Sequence, residues 1–68
     1  MELSARNQLK GRVLRITRGG VLAEVTVDIG HGREIVSVIT NTSVDRLGLR
    51  EGSEVTAIIK ATEVLLAS

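Results

Sequence analysis

Two short segments at opposite ends of the chain carry the residue types that bind an oxyanion. Residues 4–11 read SARNQLKG and contain a hydroxyl and two cations, and residues 60–64 read KATEV and add a further lysine. A tetrahedral dianion that leaves water needs several donors at once, because neither a lone charge nor a lone hydroxyl offsets its desolvation. The sequence therefore predicts that the two ends of the chain meet around a ligand.

The composition favours a small domain that associates with copies of itself. The chain has 68 residues and no Cys, so neither a disulfide nor a thiolate-metal site adds to its stability. A chain of this length buries only about 60% of the surface that it exposes when unfolded. Hydrophobic residues nevertheless make up 43% of the sequence. We expect a single domain over residues 1–68 that forms an obligate homo-oligomer.

Membranes and nucleic acids are poor candidates for partners. The longest apolar run, residues 64–67, is far too short to span a bilayer, and no signal peptide opens the chain. We therefore expect a soluble, cytoplasmic protein. The net charge is only +1, and the sequence has no Phe, Tyr or Trp on which bases could stack. A nucleic-acid-binding barrel is one rival hypothesis. A salt-dependent gel shift of a nucleic acid by this protein would support it.

Catalysis and metal binding find little support in the sequence. His31 stands alone between two glycines, without a Cys, a second His or a carboxylate at metal-binding spacing. A glycine-rich phosphate loop that ends in Lys-Ser or Lys-Thr is also missing. We predict no catalytic residues, no metal site and no enzyme activity.

The first half of the chain reads as three strands separated by glycine turns. Residues 3–17 form a long extended segment whose apolar phase flips, which suggests a bulge beside Gly11. A turn at residues 18–20 precedes residues 21–29, where apolar side chains alternate with the clearest period of two in the chain. Residues 30–32 supply a tight hairpin, and alternation resumes over residues 33–40.

The second half adds a short helix and two more strands. Ser43 is a good N-cap for a helical turn over residues 44–47, and Gly48 is placed to end that turn in a left-handed conformation. A turn at residues 51–52 leads to a fourth strand over residues 54–60, and residues 64–67 read as a short fifth. The predicted fold class is all-β, a five-stranded barrel of the oligonucleotide/oligosaccharide-binding (OB) type with one short helix after the third strand.

At these motifs the chain resembles a known family. SARNQLKG at residues 4–11, SVITNTSVDRLGLREGSEVTAIIKATEVLL at residues 37–66, and the length between them closely resemble the molbindins, also called Mop. These are small cytoplasmic molybdate-binding proteins. The same module is the molybdate-type TOBE domain of a transcription regulator and of a transporter ATPase subunit. The resemblance implies an OB-type barrel, a hexamer built as a trimer of dimers, and oxyanions held at subunit interfaces.

The resemblance also implies which residues hold molybdate. One subunit would contribute Ser4, Ala5, Arg6, Lys60 and Ala61, and the partner subunit would contribute Thr40 and Ser43. Ser4 offers a hydroxyl, Arg6 a planar fork and Lys60 a point charge, while Ala61 offers only its backbone N–H. Thr40 and Ser43 would add hydroxyls, beside the positive end of the helix that Ser43 opens.

Each of the polar positions has a purely structural alternative. The alternatives are a strand position for Ser4 and Thr40, a surface ion pair for Arg6 with Glu2 or Glu63, a solvated strand end for Lys60 and a helix cap for Ser43. Gly19 and Gly20 beside Arg18 form a candidate second anion site, because consecutive N–H groups can collect an anion. A hairpin turn is the better interpretation of those two glycines.

The functional hypothesis is an intracellular protein that stores or buffers molybdate, with tungstate as a second candidate ligand and no organic cofactor. The alternative is a molybdate-sensing regulatory module within a transcription regulator or a transporter ATPase. A start at Met1 and an end soon after the last strand favour a free-standing protein.

Overall fold

The chain folds around one antiparallel sheet, and the computed structural model describes residues 5–68 of it. The elements are β1 (Asn7–Arg18), β2 (Leu22–Gly30), β3 (Arg33–Thr40), the helix α1 (Asn41–Leu47), β4 (Glu54–Ile59) and a 3-10 turn (Ala61–Glu63). The strands lie in the order β3-β2-β1-β4. The prediction of a mostly β fold with one short helix after the third strand is confirmed.

The long strand β1 connects the two halves of the sheet. Its first half pairs with β4, and its second half pairs with β2 from Arg12 to Arg18. The register with β2 shifts between Val13 and Arg15, so the irregularity predicted beside Gly11 lies further along the strand. Val13 is buried and Ile16 packs against the same core although the two are three positions apart, and the extra residue between them allows both to face inward.

Gly11 does not lie at this bulge; its lack of a side chain allows β2 to pass close to β1. A Cβ atom at this position would lie 2.4 Å from the carbonyl oxygen of Asp28 and 2.8 Å from Cγ1 of Val27. Only glycine avoids both overlaps without a shift of the backbone.

The core is small and is made chiefly by β2. Its fully buried apolar residues are Val13, Ala23, Val25, Val27 and Val44. The alternation predicted for residues 21–29 is confirmed in Ala23, Val25 and Val27, but Val21 before the strand is exposed and Thr26, in the opposite phase, is buried. Val44 of α1 packs in this core and is the most deeply buried residue of the set.

The glycine turns form where the sequence predicted them. At the β2–β3 hairpin, Gly30, His31 and Gly32 all have positive φ angles, and Asp28 accepts a hydrogen bond from the N–H of Gly30 at 2.8 Å. Positive φ at the centre of the loop matches the twist of the flanking strands. His31 is therefore a residue of the turn, with φ 57.

The helix begins one turn earlier than predicted, and its N-cap is Thr40 instead of Ser43. Thr40 ends β3 with an extended backbone, φ −72 and ψ 152, and its Oγ1 accepts a hydrogen bond from the N–H of Ser43 at 3.0 Å. Because β3 delivers its last residue in the conformation that an N-cap needs, the cap forms at the junction. Gly48 ends the helix in the left-handed region, as predicted, with φ 64 and ψ 32.

The fifth strand predicted over residues 64–67 is not formed. After β4 the backbone turns through two short-range hydrogen bonds, from the N–H of Glu63 to the carbonyl of Lys60 and from the N–H of Val64 to that of Ala61. This turn carries the following residues away from the sheet, and Leu65 and Leu66 are almost fully exposed. The described residues thus form an open four-stranded sheet and not a closed five-stranded barrel.

We predict that Gly11→Ala destabilises the fold by roughly 1–3 kcal/mol, because the added methyl group overlaps the backbone of β2. Gly20→Ala is the matched control, since a Cβ at Gly20 meets nothing within 4 Å and its φ is not positive. Urea unfolding followed by circular dichroism measures both. Equal stability of the two variants would show that β2 does not depend on the close approach.

Candidate functional site

The two ends of the chain meet, as the end motifs predicted. Asn7 at the start of β1 pairs with Ile59 at the end of β4, and Nδ2 of Asn7 donates to the carbonyl oxygen of Ile59 at 3.2 Å. This side-chain hydrogen bond joins β1 and β4 in addition to the backbone pairing of the two strands. The segment that contains Arg6 is thereby held beside the segment that contains Lys60.

Arg6 and Lys60 are the next residues beyond the last pair of this ladder. Both are exposed, and neither takes part in an ion pair within residues 5–68. If the register continued by one residue, Arg6 would lie opposite Lys60, and like charges that face each other across antiparallel strands repel. An anion bound between Arg6 and Lys60 would convert the repulsion into two charge-assisted hydrogen bonds.

The backbone after Lys60 adds a donor at the same place. Ala61 is the first residue of the 3-10 turn, and the first N–H groups of a helical turn have no acceptor within that turn. Glu63 lies in the same turn, so one carboxylate partly offsets the two cations. The carbonyl of Ala5 accepts from Nε2 of Gln8 at 3.1 Å, whereas Ser4 lies outside the described residues.

Thr40 and Ser43 form a local hydrogen-bonded pair at the start of α1. Besides the capping bond, Oγ1 of Thr40 donates a hydrogen bond to Oγ of Ser43 at 2.9 Å. Each hydroxyl has a single hydrogen to donate. One of the two hydrogens is therefore used inside the pair, and one remains to donate to a ligand.

The structure does not bring these hydroxyls to the cations within one chain. Thr40 pairs with Leu22 at the Arg18 end of β1, whereas Arg6 and Lys60 lie at its Asn7 end. Within residues 5–68, no hydrogen bond or ion pair joins the two groups. The candidate site therefore consists of a cation half, Arg6 with Lys60 and Ala61, and a separate hydroxyl half, Thr40 with Ser43.

Arg46 is a neighbour of the hydroxyl half that the sequence reasoning missed. Ser43, Arg46 and Leu47 line one surface cavity of about 320 Å³ on α1. Residues three apart on a helix share a face, so the spacing of Ser43 and Arg46 was the available signal. The hydroxyl half thus has an exposed cation of its own.

The turn at Gly19 and Gly20 has the hydrogen bonding of a hairpin. The N–H of Gly19 donates to the carbonyl of Leu22 at 2.7 Å, and the carbonyl of Gly19 accepts from Nδ2 of Asn41 at 3.0 Å. The N–H of Gly19 is thus engaged within the turn. A second anion site at these glycines stays a prediction, and the hydrogen bonds favour the hairpin interpretation.

The three arginines of β1 form ion pairs with carboxylates of neighbouring elements. Within the described part of the chain, ion pairs join Arg12 to Glu54 at 3.0 Å, Arg15 to Glu34 at 3.7 Å and Arg18 to Asp45 at 2.8 Å. All three are exposed pairs between neighbouring elements, and such pairs contribute little each. Their pairing separates them from Arg6, which belongs to the cation half.

Comparison with known proteins identifies the family. The family model of the TOBE domain matches residues 3–66, and the chain belongs to this family. Molybdenum-pterin-binding protein 1 of Clostridium pasteurianum is 48% identical over 66 residues, which cover 97% of each chain. The sequence resemblance to the molbindins is confirmed.

Two solved structures share the fold. A molybdate-binding protein from Sporomusa ovata superposes with a TM-score of 0.94 at 41% identity, over 100% of both chains. The cytoplasmic molybdate-binding protein ModG, solved with molybdate bound, gives a TM-score of 0.92 at 46% identity. That match covers 96% of this chain and 46% of ModG, so the module also occurs within a longer protein.

We predict that Thr40→Val destabilises the chain by about 1 kcal/mol, because it removes the oxygen that caps α1. Thr40→Ser keeps that oxygen and should retain most of the stability. Thermal unfolding without added anion measures both variants. If Thr40→Val and Thr40→Ser unfold at the same temperature as the parent chain, the capping bond contributes nothing.

Proposed function

We propose that this protein binds molybdate and serves to store or buffer the anion, with tungstate as a second ligand of the same shape and charge. The observation that carries the proposal is the pairing of Asn7 with Ile59, which sets Arg6 beside Lys60 at the end of the sheet. Two cations, a backbone N–H and the hydroxyls of a second chain are the donors that a desolvated tetrahedral dianion needs. Relatives named for binding molybdenum-pterin or molybdate support the choice of oxyanion.

The ligand in this proposal is the free oxyanion and not an organic cofactor. A pterin ring would be expected to stack on aromatic side chains, and this chain has no Phe, Tyr or Trp. Within residues 5–68, no group of His, Asp or Glu side chains could hold a metal cation. The role is binding and not catalysis.

A complete site in this proposal spans two subunits. Arg6, Lys60 and Ala61 of one chain, with Ser4, hold the anion against Thr40 and Ser43 of a second chain. The separation of the two halves within one chain supports this arrangement. Exposed apolar side chains on β3, Val36 and Val38 among them, support association. A hexamer built as a trimer of dimers is the assembly that we propose.

The cellular setting is part of the proposal. Among residues 5–68, no helix is long and apolar enough to cross a membrane. ModG is described as cytoplasmic, and we propose the same compartment here. Because the module is also found within longer proteins, a regulatory module is the second candidate. A further domain in the same reading frame would favour that second role.

We predict that Arg6→Ala and Lys60→Ala each weaken molybdate binding by about ten- to a hundredfold, the loss of one charge-assisted hydrogen bond. Arg33→Ala is the control, because Arg33 is an exposed cation at the β2–β3 hairpin. Titration calorimetry with molybdate, tungstate, sulfate and phosphate measures affinity and selectivity together. Unchanged molybdate affinity in both site variants would refute the cation half.

We predict that mixing Arg6→Ala with Ser43→Ala restores some tight sites. Ser43→Ala deletes a hydroxyl but keeps the backbone N–H that Thr40 caps, so α1 stays intact. In a hybrid assembly, an interface can combine the intact cation half of the Ser43→Ala chain with the intact hydroxyl half of the Arg6→Ala chain. Native mass spectrometry establishes subunit exchange, and calorimetry counts the tight sites. Hybrids that form without regaining tight sites would place the whole pocket within one chain.

A further inference from the structure

Side-chain hydrogen bonds cross the β1–β4 pair at both of its ends. In the described chain, two side chains of β1 form such bonds. Arg12, in the terminal pair with Glu54, donates to the Glu54 carboxylate and to the carbonyl of Gly52. Asn7, in the terminal pair with Ile59, donates from Nδ2 to the carbonyl of Ile59 at 3.2 Å and is partly buried. The Asn7 bond therefore lies at the end of the ladder where the cation half begins.

The carbonyl that Asn7 holds belongs to the peptide group that leads into Lys60. Because a peptide group is planar, a hydrogen bond to the oxygen of Ile59 also fixes the direction of the N–H of Lys60. The next peptide group is held by the N–H of Glu63, which donates to the carbonyl of Lys60 at 2.9 Å. The trans geometry then points the N–H of Ala61 away from that bond. Two hydrogen bonds thus orient the backbone on both sides of Lys60.

The end of a strand pair is the part that opens most readily. Backbone pairing at such an end frays at little cost in free energy, because no further pair supports it. Arg6 directly precedes Asn7 and Lys60 directly follows Ile59, so both cations lie just beyond the last pair. A binding group that must be ordered when its ligand arrives lowers the affinity. A side-chain bond that keeps this end closed beforehand would avoid that loss.

We propose that Asn7 is a positioning residue of the molybdate site, an inference that rests on the proposed function. Its side-chain amide holds the peptide group between Ile59 and Lys60 against β1. Lys60 is thereby kept at a fixed spacing from Arg6 before the anion arrives. The anion then meets both cations at once, and the end of the sheet needs no ordering on binding.

A double-mutant cycle between Asn7 and Lys60 tests this role. Asn7→Leu keeps the approximate size of the side chain and removes the amide donor, so the molybdate affinity measured by calorimetry should fall about tenfold. In the Asn7→Leu chain, Lys60→Ala should cost less than about threefold, because Lys60 is no longer held in place. In the parent chain, the same substitution should cost about ten- to a hundredfold.

The matched control is the double variant Arg12→Gln/Glu54→Gln. It removes the ion pair at the other end of the same ladder and leaves the net charge unchanged. Lys60→Ala should keep its full effect on molybdate affinity in this background. Far-UV circular dichroism establishes that each variant folds, and Asn7→Ala takes the place of Asn7→Leu in the cycle should the leucine variant not fold.

Amide hydrogen exchange without added anion supplies a readout that does not depend on the ligand. If the Asn7 bond keeps the end of the ladder closed, the amides at the end of β4, residues 57–59, exchange faster in Asn7→Leu than in the parent. The exchange of the same amides should be unchanged in Arg12→Gln/Glu54→Gln.

Four results would overturn the positioning role and leave the proposed function intact. They are unchanged molybdate affinity in Asn7→Leu, additive losses in the cycle, unchanged amide exchange at the end of β4, and loss of the Lys60→Ala effect in the control background. Additive losses would mean that Asn7 acts independently of Lys60, for example by contacting the anion itself. A parent that binds no molybdate would overturn the proposed function and the positioning role together.

Discussion

The pairing of β1 with two different strands is the constraint on which the rest of the structure depends. Along its first half β1 holds β4, and along its second half it holds β2. The transition occurs near Arg12, which pairs with residues of both neighbours, and it requires the close approach that Gly11 permits. Because β1 pairs with both strands, the core residues of β2 and the paired ends of β1 and β4 belong to the same sheet.

The binding chemistry follows from the end of that strand. Beyond the last pair of the β1–β4 ladder, Arg6 and Lys60 have no ion-pair partner within residues 5–68, whereas the three arginines of β1 each pair with a carboxylate. An unpaired cluster of like charges stores repulsion that an anion relieves. The hydroxyls at the start of α1 lie at the opposite end of β1. The separation explains why a chain of this size would need a neighbour to surround its ligand.

Association and binding have a common origin in the size of the chain. Among residues 5–68, five buried aliphatic residues form the core, while several large aliphatic side chains remain on the surface. A small domain without disulfides gains stability chiefly by burying such surface against another chain. Ligand and neighbouring subunit would then stabilise each other by mass action.

The sequence by itself determined the features that depend on local rules. The alternation of Ala23, Val25 and Val27 in β2, the glycine hairpin at residues 30–32 and the left-handed Gly48 follow from side-chain period and glycine geometry, which neighbouring residues decide. The end motifs also predicted that the two ends of the chain meet, which places Arg6 and Lys60 in the proposed site. These predictions needed no knowledge of which strands pair.

Only the tertiary structure decided the features that depend on partners distant in the chain. Thr40 became the N-cap because β3 ends there in an extended conformation, and Gly11 is required because β2 passes 2.4 Å from where its Cβ would lie. Residues 64–67 have the composition of a strand, but a strand needs an edge to pair with, and the turn before them directs them away from their own sheet. Period and propensity describe a segment alone, whereas capping, close approach and strand pairing are properties of two segments in space.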